Sequence, residues 1–165
     1  MQRGVPGWLS FLLRGVVMHS ELNVLLIVGR FYDDICDMLV DGAVSALKSK
    51  NSEIKHEVIN VPGAFEIPAA LSFAIMSDKE SYDGYVALGC VLKGLTEHNT
   101  HVSTSVYSAI RDIAIHHAVP LGMGVITADS RELAWERARK NGRNVGGIAA
   151  EAMLRMVELH RRFLG

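Results

Sequence analysis

Four runs of apolar residues are spaced along the chain, and segments with helical periodicity separate them. The runs cover residues 24–28, 54–61, 85–88 and 121–127. A continuous apolar run is typical of a parallel strand buried on both faces, whereas the rough alternation of residues 54–61 indicates a strand nearer an edge. The pattern therefore predicts four strands in one sheet.

Apolar residues at helical spacing follow each of these runs. The first such helix is marked by Ile35, Leu39 and Leu47, with Asp33 or Asp34 placed to cap it. Further helical patterns open at Glu66, at Val102, after Asp129 (which has capping-box spacing to Glu132) and near Gly147. The order β-α-β-α-β-α-β-α-α predicts an α/β three-layer sandwich, a four-stranded parallel sheet with helices on both faces.

Composition favours a single domain with no nucleic-acid or membrane partner. The chain has 165 residues, 49% of them hydrophobic and 21% charged, with a net charge of −1. Its two cysteines are too far apart in sequence for a zinc motif and do not form a disulfide framework, which favours the reducing cytoplasm and predicts no metal. This apolar content also predicts that some surface is buried in an oligomer.

The first twenty residues differ from the rest of the chain. They combine arginines with a short apolar stretch, contain no acidic residue and are too short to span a membrane. We expect residues 1–20 to be a poorly ordered N-terminal extension, part of it upstream of an internal start at Met18, and residues 21–165 to form the domain.

The loops after the first three strands are expected to meet at one edge of the sheet, where α/β proteins bind ligands. Phe31 and Phe65 offer apolar faces to a planar ring, and Glu66 can accept hydrogen bonds from ring N–H groups. Backbone amides after Gly94, with the Thr96 hydroxyl, can bind an anion. His98 can exchange a proton near neutral pH. Each residue alone is also typical of core packing or a helix start, so only their convergence predicts a site.

Three other groupings have simpler interpretations. Cys90 and His98 could form a nucleophile pair, but a cysteine at the end of an apolar strand usually behaves as a small hydrophobe. His116 and His117 are adjacent in a helix, so we expect their rings to point apart and not to chelate a metal. The basic run at residues 137–143 is typical of a solvated helix end, the alternative being that one arginine binds a phosphate.

Five motifs together resemble the lumazine synthase family of riboflavin biosynthesis: GRF at 29–31, VPGAFEIP at 61–68, LGCVLKGLTEH at 88–98, ERA at 136–138 and NVGG at 144–147. The resemblance implies a flavodoxin-like fold and a transferase that needs no cofactor. It implies condensation of 5-amino-6-(D-ribitylamino)uracil with 3,4-dihydroxy-2-butanone 4-phosphate to 6,7-dimethyl-8-ribityllumazine. It also implies a homopentamer, further assembled in some members to a decamer or a 60-subunit shell, with active sites between subunits.

Residue by residue, the resemblance implies three groups of site residues. The catalytic proton-transfer residue would be His98, and the phosphate-binding residues would be Leu95, Thr96 and Arg137. The pyrimidine substrate would contact Phe31, Ala64, Phe65, Glu66, Cys90, Val91, Leu92 and Met123. Met123 and Arg137 would reach the site from a neighbouring subunit.

The chain also departs from the family pattern at several positions. Asn99 and Thr100 stand where the family has an aromatic and an acidic residue, Leu95 replaces a small or polar residue, Met123 replaces a phenylalanine and Val145 replaces a lysine. These departures keep a second hypothesis open, that of a non-catalytic relative that binds lumazine or flavin or forms a shell. A flavodoxin-like FMN carrier is the third.

Overall fold

The computed structural model describes residues 22–93 and 98–165, and for residues 98–101 only the backbone. These ranges contain four strands: β1 (Asn23–Gly29), β2 (Lys55–Val61), β3 (Gly84–Leu92) and β4 (Leu121–Ala128). They also contain a 3₁₀ turn at Ala64–Glu66 and the helices α1 (Asp33–Lys50), α2 (Ile67–Ile75), α3 (His98–His116), α4 (Arg131–Ala138) and α5 (Val145–Phe163). The predicted order of strands and helices is confirmed.

All four strands are parallel and lie in the order β2-β1-β3-β4, so β2 is at an edge, as its alternating sequence predicted. In this register Gly29 of β1 lies beside both Val61 of β2 and Gly89 of β3. The carboxyl ends of the first three strands are therefore level at one edge of the sheet, where their loops can contact one another.

Helices cover both faces of the sheet. On one face, Leu26 and Val28 of β1 share a core with Leu39 of α1, Ala134 of α4 and Met153 of α5. On the other face, Leu25 and Ile27 share a core with Leu71 of α2 and Ile110 of α3. Successive residues of β1 thus enter opposite cores, which is why the strand is apolar throughout. The predicted flavodoxin-like α/β sandwich is confirmed.

The predicted helix caps are wrong at two positions. Tyr32, not an aspartate, occupies the N-cap of α1, and both Asp33 and Asp34 lie in the first helical turn. At α4 the N-cap is Ser130, whose hydroxyl accepts from the Leu133 amide, while Asp129 forms an ion pair with Lys93 at 2.7 Å. Local spacing cannot anticipate this pairing, because Lys93 comes from the end of a different strand.

The last helix begins slightly earlier than predicted. Asn144 adopts a left-handed backbone with φ of 52°, and its side chain accepts a hydrogen bond from the Gly147 amide to cap α5. Asparagine tolerates this conformation better than most residues.

The predicted N-terminal extension lies outside the described residues. Within residues 22–93 and 98–165, the helices all lack the length and apolar character needed to cross a bilayer.

Candidate functional site

A cavity of about 410 Å³ lies at the carboxyl edge of β1, β2 and β3. The loops after β1 and β2, the end of β3 and Val102 of α3 form its walls. Its lining residues are Phe31, Tyr32, Pro62, Gly63, Ala64, Phe65, Glu66, Cys90, Val91, Leu92 and Val102. The cavity therefore contains seven of the eight residues predicted to contact a pyrimidine ring.

Close backbone packing at Gly29 brings the first two loops together. A Cβ atom at this position would lie 2.7 Å from the Ala64 nitrogen and 2.7 Å from the Gly63 carbonyl carbon. The Arg30 amide donates to the Val61 carbonyl oxygen at 2.8 Å immediately afterwards. Because these neighbours are backbone atoms that cannot rotate away, only glycine allows the turn after β2 to reach the end of β1.

Arg30 ties the loop after β1 to the structure on both sides. Its guanidinium donates to the Asn60 side-chain oxygen of β2 at 3.1 Å and to the Asp37 carboxylate of α1 at 2.5 Å. The hydrogen bond to Asp37 raises the pKa of Arg30 and outweighs the opposing effect of desolvation. Arg30 thereby fixes the backbone next to Phe31, whose side chain is 71% exposed at the mouth of the cavity.

The cavity combines an apolar floor with a rim that carries one carboxylate. Ala64, Cys90 and Val91 are buried and form the floor, whereas Phe65 is 67% exposed at the rim. The Glu66 carboxylate is close to Gly63, since a Cβ on Gly63 would lie 3.4 Å from Oε2 of Glu66. An apolar slot with one carboxylate at its edge is suited to a planar heterocycle that carries N–H donors.

The thiol of Cys90 is not a nucleophile in this setting. It is 3% exposed, and burial raises its pKa to about 12. Cys36, which donates its thiol hydrogen to the Gly29 carbonyl oxygen at 3.1 Å, has its pKa raised by burial to about 11. At neutral pH both groups are therefore neutral thiols, which agrees with the interpretation of Cys90 as a small hydrophobe.

Tyr32 lines the cavity but was not predicted as a site residue. Its ring contacts the Phe31 ring edge-on with centroids 5.0 Å apart, and the Arg131 guanidinium of α4 lies 5.8 Å from its centroid. Asp34 accepts hydrogen bonds from Arg131 at 2.6 Å and from Trp135 Nε1 at 2.7 Å. Desolvation raises the pKa of Asp34, but these hydrogen bonds outweigh it and lower the pKa overall. Only the adjacency of Tyr32 to Phe31 could have indicated its role.

Three further lining residues were also missed. Pro62 and Gly63 lie within the motif at 61–68 but were interpreted only as the end of a strand, and Val102 only as the start of a helical pattern. Pro62 and Gly63 belong to the same turn as Ala64, so the signal for them was their position between β2 and the predicted ring contacts. Val102 lies one turn into α3, and a valine at such a position is by itself typical of core packing.

Arg137 and Met123 do not line this cavity. Met123 lies on β4, where it pairs with Ala87 of β3 and packs partly buried against the core beneath α2 and α3. Arg137 of α4 donates to the Thr127 carbonyl oxygen at the end of β4. It lines a second cavity of about 380 Å³ with Tyr107, Val125, Ile126, Thr127, Arg143, Val145 and Ile148.

Two parts of the prediction fall outside the described atoms. Leu95 and Thr96 lie in the segment 94–97, which is not described, and His98 is described only as the first backbone position of α3.

Within the described ranges, no cluster of three or more metal-ligating side chains is present. The rings of His116 and His117 contact each other edge-on with centroids 4.9 Å apart, so the prediction that they point apart is wrong.

A small apolar cavity at the carboxyl edge of a parallel sheet defines the class as a ligand-binding α/β protein of flavodoxin-like fold. Residues 21–161 match the family model for 6,7-dimethyl-8-ribityllumazine synthase. The chain therefore belongs to the 6,7-dimethyl-8-ribityllumazine synthase family, transferases of riboflavin biosynthesis, as its motifs predicted.

Several curated relatives share most of their length with this chain. The 6,7-dimethyl-8-ribityllumazine synthase of Bartonella tribocorum is 47% identical over 146 residues, which is 88% of this chain and 95% of the relative. The enzymes with the same description from Nitrobacter winogradskyi and Agrobacterium fabrum are 46% and 41% identical, over 87% and 88% of this chain and 88% and 99% of their own length.

Proposed function

We propose that the cavity after β1, β2 and β3 binds 5-amino-6-(D-ribitylamino)uracil. The chain would condense it with 3,4-dihydroxy-2-butanone 4-phosphate to give 6,7-dimethyl-8-ribityllumazine, phosphate and water. One observation carries this proposal: seven residues that the family motifs assign to the pyrimidine, from two loops and the end of β3, line one cavity of about 410 Å³. That volume lies within the range of small-molecule sites.

The pyrimidine ring would stack on Phe31, whose exposed face is free to receive it. Stacked aromatic groups contribute roughly 0.5–1.5 kcal/mol beyond their buried area. Glu66 would accept hydrogen bonds from ring or side-chain N–H groups, and the backbone of residues 90–92 would contact the opposite edge. The ribityl chain would extend along the turn at Ala64–Glu66.

A neighbouring copy of the chain would complete the site. Met123 and Arg137 lie away from the first cavity in their own chain, so a second copy is needed to present them to it. Exposed apolar side chains support such an assembly: Phe73, Met76 and Ile115 are each more than 70% exposed. We propose a homopentamer, with Arg137, Leu95 and Thr96 on the phosphate. The two free, buried cysteines support a cytoplasmic location.

The chemistry requires positioning and proton transfer. The primary amine of the pyrimidine attacks the ketone carbon, and loss of water gives an imine. The carbon–oxygen bond to phosphate then breaks with loss of a proton from the adjacent carbon. The ribityl-bearing nitrogen closes the ring with loss of a second water. Holding both substrates in register can contribute about 7–11 kcal/mol. His98, as the proposed acid and base, would add about a hundredfold.

A direct assay tests this proposal. Purified protein is mixed with both substrates, and lumazine formation is followed by its absorbance. We expect turnover well above the uncatalysed rate, with Glu66→Gln raising the KM of the pyrimidine substrate. Tight binding of lumazine without any turnover would instead support a non-catalytic binding relative, the hypothesis left open by Asn99, Thr100 and Val145.

A further inference from the structure

The basic run at residues 137–143, which covers the end of α4 and the turn before α5, divides into two pairs of cations. Arg139 forms an ion pair with Glu136, and Lys140 forms one with Asp41 of α1 at 2.7 Å. Lys140 is also 3.3 Å from the Ser45 hydroxyl. These two side chains therefore serve the packing of this region, as expected for a solvated helix end.

Arg137 and Arg143 differ from that pair because both line the second cavity, the one of about 380 Å³. Within residues 22–93 and 98–165, neither guanidinium has a carboxylate at ion-pair distance. Asp129 is near enough for Arg137 to contribute to lowering its pKa, but the hydrogen bond and charge of Lys93 contribute more, and Asp129 is paired with that lysine. The cavity thus has an excess of positive charge.

Four apolar residues in the walls of this cavity strengthen its attraction for an anion. Val125, Ile126, Val145 and Ile148 screen charge less than water does, and Tyr107 and Thr127 complete the lining. The cavity also adjoins the amino terminus of α5, whose dipole has the same sign as the two arginines. Two cations that share a cavity repel each other, and a bound dianion would replace that repulsion with two attractions.

The backbone that carries Arg143 is held firmly in place. Its amide donates to the Glu136 carbonyl oxygen at 2.9 Å, and the next amide, of Asn144, donates to the Arg139 carbonyl oxygen at 3.2 Å. A Cβ on Gly142 would lie 2.2 Å from the Glu136 carbonyl oxygen, so the turn is as tight as a glycine permits. The base of the Arg143 side chain therefore has a fixed position relative to α4, the helix that carries Arg137.

We propose that Arg143 is a second phosphate-binding residue, which acts together with Arg137 on the phosphate of 3,4-dihydroxy-2-butanone 4-phosphate. This inference rests on the proposed function. Two guanidinium groups can share the phosphate oxygens and balance the two negative charges of a phosphate monoester. Because Arg143 lines the same cavity as Arg137, a neighbouring copy whose pyrimidine cavity receives Arg137 would receive Arg143 with it.

Steady-state kinetics of the full-length oligomer test this role. Removing a charged hydrogen bond of this kind corresponds to about tenfold, so Arg143→Ala should raise about tenfold both the KM of the phosphate substrate and the Ki of inorganic phosphate. The KM of the pyrimidine substrate should stay within about twofold, and Arg143→Lys should recover most of the loss because it restores the charge. Arg139→Ala and Lys140→Ala are matched controls from the same basic run and should change neither phosphate constant.

Both constants unchanged in Arg143→Ala would overturn the inference, as would an equal loss with Lys140→Ala. If Arg143→Ala dissociates the oligomer, Arg143→Gln provides the same measurement with the side-chain length kept. Arg137→Ala distinguishes failure of the proposed function from failure of this inference. If Arg137→Ala raises the KM of the phosphate substrate and Arg143→Ala does not, only the role of Arg143 is refuted. If the wild type shows no turnover, calorimetric titration still measures the affinity of wild type and Arg143→Ala for inorganic phosphate. Equal affinities would refute the proposed role of Arg143.

Discussion

The contact between Gly29 and the turn at Gly63–Ala64 predicts that Gly29→Ala damages both stability and substrate binding. The added methyl carbon would lie 2.7 Å from two backbone atoms and 2.8 Å from the Gly63 carbonyl oxygen. None of these atoms can rotate away, so the end of β1 and the turn after β2 must separate. Overpacking of this kind costs about 1–3 kcal/mol.

Gly89→Ala is a matched control because Gly89 pairs with Gly29 in the sheet register. A Cβ there would meet the Ile67 Cδ1 atom at 3.4 Å and the Ala64 Cβ at 3.8 Å, which are ordinary contacts. Loss of glycine freedom in the unfolded chain then makes this change neutral or stabilising by about 0.4–1 kcal/mol. Backbone φ does not complicate the comparison, since neither glycine has a positive φ.

Differential scanning calorimetry and pyrimidine kinetics measure the two consequences of Gly29→Ala. A loss of about 1–3 kcal/mol in a chain of this size corresponds to a Tm lower by about 3–10 °C. Separation of the two loops also widens the cavity between Phe31 and Ala64, so the KM of the pyrimidine substrate should rise. If Gly29→Ala matched Gly89→Ala in both measurements, the steric account of how this site is assembled would be wrong.

The exposure of Phe31, the hydrogen bonds of Asp34 and the burial of Cys90 give three further predictions. Phe31→Ala should weaken pyrimidine binding, measured by calorimetric titration, by up to about tenfold, with little change in Tm because the ring is 71% exposed. Phe163 is 70% exposed, and its substitution by alanine is the control that should leave binding unchanged. Equal binding in both variants would exclude stacking on Phe31. Asp34→Asn should destabilise the fold by about 1 kcal/mol at pH 7 by weakening the bond to Arg131. Because the folded-state pKa of Asp34 is lowered, that difference is present above the unfolded pKa of about 3.9 and is lost as pH falls through the folded value. Urea unfolding at a series of pH values should therefore separate the variants at pH 7 and by a shrinking margin as the pH falls below about 3.9. Cys90, with its pKa raised to about 12, should not react with iodoacetamide at pH 7.5 until urea unfolds the chain, as measured by mass spectrometry. Rapid labelling of the native protein would contradict its burial.

Several site residues could be predicted from the sequence because they lie at the ends of apolar strands. Phe31 and Glu66 follow β1 and β2, and in a parallel sheet all carboxyl ends share one edge. Tyr32 was missed because its role depends on Arg131, which is about a hundred residues away in sequence. Lys140 also could not be separated from Arg137 and Arg143 by pattern, because its partner Asp41 comes from another part of the fold.

Hydrophobic periodicity by itself determined the number and order of the strands, the parallel sheet with helices on both faces, and the edge of that sheet at which a ligand would bind. These features depend on which side chains leave water, and that preference is written locally in the chain. Tertiary structure alone decided that Lys140 pairs with Asp41, that Asp129 pairs with Lys93 instead of capping α4, and that Gly29 must lack a side chain. Those outcomes depend on distances of a few ångströms between segments far apart in sequence, and only the packed fold sets such distances.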